Sequence, residues 1–593
     1  MHVRRRPLRS RAVGIVAVVV AGTAGVLVPA TAASAGGRVG VPASTVRWVR
    51  AVPVCARPTP GTMSCLAERL VRVAPHSAHA VRLVRTANSA PLGPAGGYTP
   101  DDLATAYGVP TTPTTGTGQA VAIVDAFHDP NVEQDLDTFD AHYGLPAETA
   151  TSFRVVNGAD GTSTPAPIDT SGWSGEIALD VQAVRSVCRG CSILLVEATS
   201  DSDADLEAAE NTAARLGAIE ISNSFGAPEF VDPSTSADAA AFNHPGIIIT
   251  ASAGDDGWYD WDATNAPHGT SGNSPELPAA YNTVIGVGGT ALTLNSDGTR
   301  AGESVWNDNG RDDDAGYRAR EGLGAGGGGC STDMSARSWQ SSVAGYVKLG
   351  CRSGKRSAVD VAADADPDTG LDVYNSFGTA DETGWQTVGG TSLASPLIAG
   401  MWAAAGGDSY AAPYPSLYLY GNFGAHHGVY DVTRGGNGAC DGDSPSHCAS
   451  TYPSGSPNTW APGNLIDCAF GRTGRAVLAN RAQCYAGKGY DGPTGVGTPN
   501  GSALFADVTL HPKASGKRTV VHGTKTSFAV AAASDPFPGA KFTSVRWTWG
   551  DTHTSTGAKA THAWSAPGTY SVQLAITDSY GMSATGTFSV TVK

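Results

Sequence analysis

Long apolar runs are scarce in this chain of 593 residues. The one that stands out, Ala12 to Val28, is interrupted by Gly and Thr and stopped by Pro29, and is weak for a span that takes about 20 consecutive apolar residues. Arg4, Arg5, Arg6, Arg9 and Arg11 precede it, and Ala33-Ser34-Ala35 follows with the small side chains of a cleavage site. Residues 1–35 therefore read as an export signal that is removed, not as an anchor. The remainder is expected to be secreted and extracellular. No other segment is apolar enough to cross a membrane.

Positive charge is also in short supply. The chain has 39 basic against 54 acidic side chains, and five of the basic ones lie in the signal. The mature chain thus carries 34 against 54, a net charge near −20. An acidic surface of that size argues against nucleic acid as a partner and fits, weakly, a protein that stays soluble in acid. Charged residues make up only 16% of the chain while glycine numbers 75, which suits an extracellular fold rich in loops.

The ten cysteines are even in number and fall into close pairs: Cys55/Cys65, Cys188/Cys191, Cys330/Cys351, Cys440/Cys448 and Cys468/Cys484. In an exported protein the simplest reading is five local disulfides. Cys188-Arg-Gly-Cys191 has the spacing of a redox or zinc motif. No second such pair lies nearby, and an oxidising compartment favours the disulfide.

At this length more than one domain is expected. Residues 36–96 read as a short pro-segment or leader, irregular and without a clear core pattern. Between Gly97 and about Asp507, β-branched runs alternate with helical patterns. Strands are expected at Ala120–Val124, Ile193–Val196, Ala218–Ser222, Ile247–Ala251 and Val284–Val287, with helices at Val132–Tyr143, Gly175–Val187, Asp205–Leu216 and Ser234–Phe242. Such alternation makes an α/β fold, a doubly wound parallel sheet with helices on both faces. From Lys513 onward short alternating strands and turns predict an all-β, immunoglobulin-like sandwich over 513–593, with His511-Pro512-Lys513 in the linker.

The chemistry centres on Val388-Gly-Gly-Thr-Ser-Leu-Ala-Ser-Pro-Leu-Ile-Ala-Gly400, where Ser392 ends a glycine-rich turn and begins an apolar helix. Pro396 is expected in the first turn, where it is tolerated. A serine so placed has backbone N–H groups and the helix dipole beside it, able to stabilise an oxyanion. Gly-Thr-Ser alone is equally an ordinary helix N-cap. The longer string resembles the nucleophile motif of the subtilisin-like clan.

A nucleophilic serine needs a base. The one His-Gly-Thr, at His268-Gly269-Thr270, comes too late in the chain and reads as a surface loop; His128, His142 and His244 lack the motif. The expected region instead holds Trp173-Ser-Gly-Glu-Ile-Ala-Leu-Asp-Val-Gln182. Glu176 and Asp180 are four apart and share one helix face. Like charges that close raise one pKa, and a shared proton makes a base suited to acid. Two solvated helix carboxylates are the plain alternative. Asp255, in Thr250-Ala-Ser-Ala-Gly-Asp-Asp-Gly257, takes the place of the subtilisin oxyanion asparagine, and a carboxyl there donates only when protonated. Its plain alternative is a turn aspartate.

The order Glu176, Asp180, Asp255, Ser392 resembles the sedolisins, the serine-carboxyl peptidases. So do Tyr98-Thr-Pro-Asp-Asp-Leu103, Ile221-Ser-Asn-Ser-Phe-Gly226, Val287-Gly-Gly-Thr290 and Asp364-Ala-Asp-Pro-Asp-Thr-Gly370. The resemblance implies a subtilisin-like catalytic domain over 97–508 and an endopeptidase active on proteins or peptides in acid. Ser392 would attack the peptide carbonyl, Glu176 would take and return the proton, Asp180 would orient Glu176, and Asp255 would bind the oxyanion. It also implies one structural calcium ion. Asp431 and Asp491 would give carboxylates, and Val432, Gly487 and Gly489 would give carbonyls, an oxygen-only set suited to calcium.

The tail, with Trp549-Gly-Asp551 and Pro567-Gly-Thr-Tyr570, resembles a PKD-type domain, which implies a module for substrate, surface or polymer binding, or a spacer. The enzyme is expected to be a monomer. Sedolisins usually carry a long folded propeptide, whereas residues 36–96 are only 61. Two rivals stand beside this reading: a conventional Ser-His-Asp subtilisin with an unrecognised histidine, and a non-catalytic binding protein on a peptidase scaffold.

Overall fold

The computed structural model describes residues 44–75, 81–86, 92–229, 238–258, 275–308, 324–351, 354–379, 382–407, 413–438 and 481–593. Residues 1–35, read as an export signal, and His268-Gly269-Thr270, Cys440, Cys448 and Cys468 lie outside the described residues.

The β-branched runs expected as strands form a sheet ordered Arg300–Val305, Ile285–Leu294, Ile248–Ser252, Glu220–Asn223, Ala120–Ala126, Ser192–Ala198, Phe153–Asn157. Neighbours run parallel except at the Arg300–Val305 edge, and Val361–Asp364 adds a further parallel pairing to Ile285–Leu294. Alternate side chains of Ala120–Ala126 enter opposite cores, as the strand repeat of two requires. Val121 and Ile123 pack in the core that holds Leu179, Val184 and Leu397; Ala122 and Val124 pack in the one with Leu206, Ala209 and Ala213. The helices Trp173–Val187 and Thr391–Ala404 therefore lie together on one face, in contact with each other, and Asp203–Arg215 covers the other.

Helix bounds follow local chemistry. Asp203–Arg215 starts two residues before the expected Asp205 because the Ser202 hydroxyl caps it, accepting from the Asp205 N–H. Val132–Tyr143 ends on Gly144 at φ 69°, a left-handed position that suits glycine. Of the expected Ser234–Phe242 helix, Asp238–Ala241 is helical, and 234–237 fall outside the described residues.

Residues 36–96, expected to be irregular, contain strands at Ser44–Pro53, Glu68–Arg72 and Val81–Thr86. These join Gly384–Gly389 and Leu371–Asn375 in one five-stranded sheet. Interleaved arginines break the apolar alternation that would mark such strands, and their partner is far away: Arg69 pairs with Val388.

The C-terminal residues form the expected pair of sheets. One contains Ala514–Ser515, Thr526–Val530 and Lys559–His562, and the other is built on Phe542–Thr548, Gly568–Asp578 and Ser583–Val592. Phe528, Trp547, Trp549 and Trp564 fill the space between them. Tyr580 meets Trp339 edge-on at 5.4 Å, and Phe537 lies 6.2 Å from Tyr418, so aromatic contacts dock the sandwich on the α/β domain. Disulfides Cys55–Cys65, Cys188–Cys191 and Cys330–Cys351 form as expected, and Cys484 is also disulfide-bonded.

Candidate active site

Ser392 is the second residue of the helix Thr391–Ala404 and is fully buried. Its hydroxyl donates to the Ser224 carbonyl at 3.0 Å, and its backbone N–H donates to the Leu66 carbonyl at 2.9 Å. Pro396 is not in the first turn as expected; it is the sixth helical residue. Lacking an N–H, it cannot bond the carbonyl four residues back, which belongs to Ser392. The Ser224 hydroxyl donates to that carbonyl instead, at 3.3 Å. The proline thus frees an acceptor that ties Ser392 to the strand end at Ser224.

Glu176 and Asp180 lie on the neighbouring helix, Trp173–Val187, and both are completely buried. Solvated helix carboxylates they are not. Burial, then the charges of Asp180 and Asp125, push the Glu176 carboxyl well above its usual range, while the Ser392 hydroxyl pulls it back. The Ser392 hydroxyl's hydrogen points to Ser224, and the helix that carries Ser392 packs against the one that carries Glu176. Asp180 is raised by burial and moderated by Ser224 and Glu176. Among the described residues, no histidine is among the main groups acting on either carboxyl.

Asp125 is the residue that sequence reasoning missed. It is fully buried near the carboxyl end of the central strand Ala120–Ala126, raised by burial and by the charges of Asp180 and Glu197. An acidic residue closing an otherwise apolar parallel strand was the available signal.

Asp255 is buried beside Thr391, the residue before Ser392. Its Oδ1 accepts from the Thr391 N–H at 2.7 Å and from the Thr391 hydroxyl at 2.8 Å. Burial raises its pKa to about 8 against the pull of those two bonds. Thr391 thereby fixes the carboxyl, and the Oδ2 side faces Gly390. A methyl built on Gly390, itself at φ 90°, would fall 2.6 Å from Asp255 Oδ2 and 2.3 Å from the Leu66 carbonyl oxygen. Only glycine fits there. The arrangement gathers a buried serine, a buried acid pair on the neighbouring helix, and a buried acid with raised pKa held by Thr391. It can perform acyl transfer through an oxyanion, with protons moved by carboxyls.

Raised carboxyls set the pH dependence of stability. Asp125, Glu176, Asp180 and Asp255 all hold protons more tightly folded than unfolded. The native state then binds more protons between the ordinary carboxyl range and about 8, so stability falls as pH rises through that window. The melting temperature is expected to drop by roughly 5–10 °C from pH 4.5 to pH 8. Calorimetry checks this; a flat or rising curve would count against the buried acid cluster.

Residues expected to hold calcium come together around Asp431 and Asp491. Asp431 accepts from the Gly489 N–H at 3.1 Å; buried Asp491 accepts from the Gly487 N–H at 2.8 Å and the Thr494 hydroxyl at 2.8 Å. Asp431 lies near enough for its charge to raise Asp491. Val432 is buried next to Asp431. Two adjoining carboxylates with backbone carbonyls in tight glycine turns are a donor set that fits a hard divalent cation.

Known proteins share this organisation. Residues 159–408 match the subtilase family, and residues 511–592 match the PKD domain. Sedolisin of Pseudomonas sp. (strain 101) is 30% identical over 362 residues, covering 58% of this chain and 57% of its own length. Kumamolisin of Bacillus sp. (strain MN-32) is 30% identical over 434 residues, covering 70% and 64%. The chain thus spans less than two thirds of the length of either relative. The structure of Pseudomonas sedolisin, a serine-carboxyl proteinase complexed with two molecules of pseudo-iodotyrostatin, superposes with a TM-score of 0.51 at 27% identity, covering 69% of this chain and 96% of that one. The chain is thus similar to the sedolisins, with a subtilase-family match over residues 159–408 and a PKD-domain match over residues 511–592.

Proposed function

We propose that the protein is a secreted serine-carboxyl endopeptidase that hydrolyses peptide bonds of proteins at acidic pH. The observation that supports this reading is the complete burial of Glu176 and Asp180 on the helix that packs against the Ser392 helix, with Asp255 held by Thr391, the residue before Ser392. Ser392 forms the acyl-enzyme. Glu176 receives its proton and passes it to the leaving amine, and Asp180 positions Glu176 and shares its proton. Asp255, protonated, donates to the oxyanion together with the Ser392 N–H. Acid keeps the Asp255 donor present and limits the charge that the buried cluster must carry. Export is supported by the 1–35 pattern and the disulfides, and among the described residues no helix is long and apolar enough to cross a membrane. Cleavage of an acid-denatured protein, lost in Ser392→Ala, is the direct test.

Calcium, held by Asp431 and Asp491 with the carbonyls of Val432, Gly487 and Gly489, would supply a structural tie between two segments. Chelation is then expected to lower the melting temperature by several degrees, as loss of a ligand bound only to the native state does. In Asp491→Asn that response to chelator should vanish. An unchanged melting curve on chelation contradicts the site. The PKD domain is read as a binding module for substrate or surface, its docking contacts leaving the remainder of the sandwich open to a partner.

A further inference from the structure

The C-terminal sandwich carries a cluster that the peptidase chemistry does not use. Asp551, His553 and His562 bring a carboxylate oxygen and two imidazole nitrogens within 4.8 Å of one another. His562 Nε2 donates to Asp551 Oδ2 at 2.8 Å, and His553 Nδ1 lies 3.3 Å from Asp551 Oδ1. The two rings thus approach the two oxygens of one carboxylate.

Local structure explains why they meet. Phe542–Thr548 and Thr554–Thr556 pair antiparallel in one sheet, and Trp549-Gly-Asp-Thr-His553 is the turn between them. The Trp549 N–H closes that turn on the His553 carbonyl at 3.0 Å. Inside it Thr552 is held at φ 77°, a left-handed conformation that a β-branched side chain rarely adopts. The His553 backbone N–H steadies the Asp551 carboxylate at 3.3 Å. His562 arrives from the other sheet, at the end of Lys559–His562. Its ring stacks on Trp549 at 4.9 Å and 6°, and it meets Trp564 edge-on at 4.6 Å. Both tryptophans are fully buried, and Trp564 Nε1–H donates to the Trp549 carbonyl at 3.0 Å. The imidazole is therefore fixed before any ligand comes.

An Asp–His hydrogen bond that staples the two sheets accounts for Asp551 and His562. It leaves His553 unexplained. That side chain is 72% exposed and could turn to water, yet it lies against the second carboxylate oxygen. The chemistry of the three groups points to one class of occupant. Two neutral imidazoles and a carboxylate suit a borderline dication such as zinc, whereas calcium takes oxygen alone. Zinc, at about 2.0–2.1 Å from nitrogen or oxygen, sets its tetrahedral ligands about 3.3 Å apart. His553 and Asp551 already have that spacing, and His562 and Asp551 need to part by about half an ångström.

We propose that Asp551, His553 and His562 form a zinc-class metal site that bridges the two sheets of the sandwich, its fourth position left to water on the exposed His553 side. The ion enters by displacing the hydrogen between His562 Nε2 and Asp551 Oδ2, which passes to the imidazole's Nδ1 or to water. Ligation then joins the turn at Trp549 to the strand Lys559–His562, so the ion stabilises the sandwich as any ligand of the native state does. The site needs nothing from Ser392 and stands or falls apart from the peptidase reading.

The test titrates zinc chloride into the full-length protein at neutral pH, with calcium in excess to fill the oxygen-only site. Wild type should bind one equivalent that His553→Ala loses or holds at least about tenfold more weakly. Zinc should raise the melting temperature of wild type and not that of His553→Ala. The exposed position of His553 keeps that variant folded; Asp551→Asn, shown to be folded by its melting curve, should lose the same equivalent. Copper(II) bound in place of zinc reports the ligands directly. Its electron paramagnetic resonance spectrum should show two nitrogen ligands in wild type and one in His553→Ala. Equal zinc uptake by wild type and either variant, no uptake by wild type, or copper spectra unchanged by His553→Ala overturns the site.

Discussion

Replacing Glu176 by Gln is expected to lower kcat/KM on an unfolded protein substrate by about 10²–10⁴-fold, the range that a positioned general base contributes. Gln fits the same space and can accept the Ser392 hydroxyl's hydrogen, but it cannot carry the proton away. The substitution also removes a charge that burial opposes. The variant should therefore be at least as stable as wild type at pH 8 while losing activity at pH 4. That combination separates a chemical defect from unfolding. Ser392→Ala should be silent as well. The two losses should not add in the double variant, because either change alone disables the acyl-transfer step. Full activity in Glu176→Gln would favour a histidine-driven subtilisin instead.

The second large effect is expected at Asp255. Its Oδ1 is occupied by two bonds from Thr391, which leaves Oδ2 to carry the proton toward the oxyanion. Asp255→Ala removes one oxyanion donor and should cost about 10²–10³-fold in kcat. Asp255→Asn is the informative partner. Its amide oxygen can accept both Thr391 bonds while its NH₂ group donates at every pH. In wild type the donor disappears as pH rises through about 8, the value to which burial has moved Asp255. The asparagine variant should keep activity within about tenfold in acid and lose this contribution to the alkaline decline. An asparagine variant as poor as alanine would show that Asp255 does not act as a donor.

Legibility in the sequence differs from element to element. The strands at Ala120, Ile193 and Ile248 were visible because a strand buried on both faces reads as a continuous apolar run. Ser392, Glu176, Asp180 and Asp255 are legible as a candidate set, through their order and their motifs rather than through any single residue. Their burial was not visible: the apolar neighbours of Glu176 suit an exposed amphipathic helix equally well, and only the packing of Trp173–Val187 against Thr391–Ala404 encloses both carboxyls. Asp125 was hidden because its partners, Asp180 and Glu197, are distant in sequence. The same cause hid the strands of residues 44–86, whose pairing with Gly384–Gly389 spans most of the catalytic region. Pro396 was misplaced because the helix continues across it, with Ser224 supplying the missing donor.

Carboxyl-driven catalysis by Ser392 is most directly tested by the pH dependence of kcat/KM on an unfolded peptide, measured for the purified protein. The account predicts activity concentrated in acid, declining toward pH 8 as Asp255 loses its proton, and absent throughout in Glu176→Gln. A profile rising through pH 6–7 to a neutral or alkaline plateau, as a titrating histidine base produces, and preserved in Glu176→Gln, would contradict it.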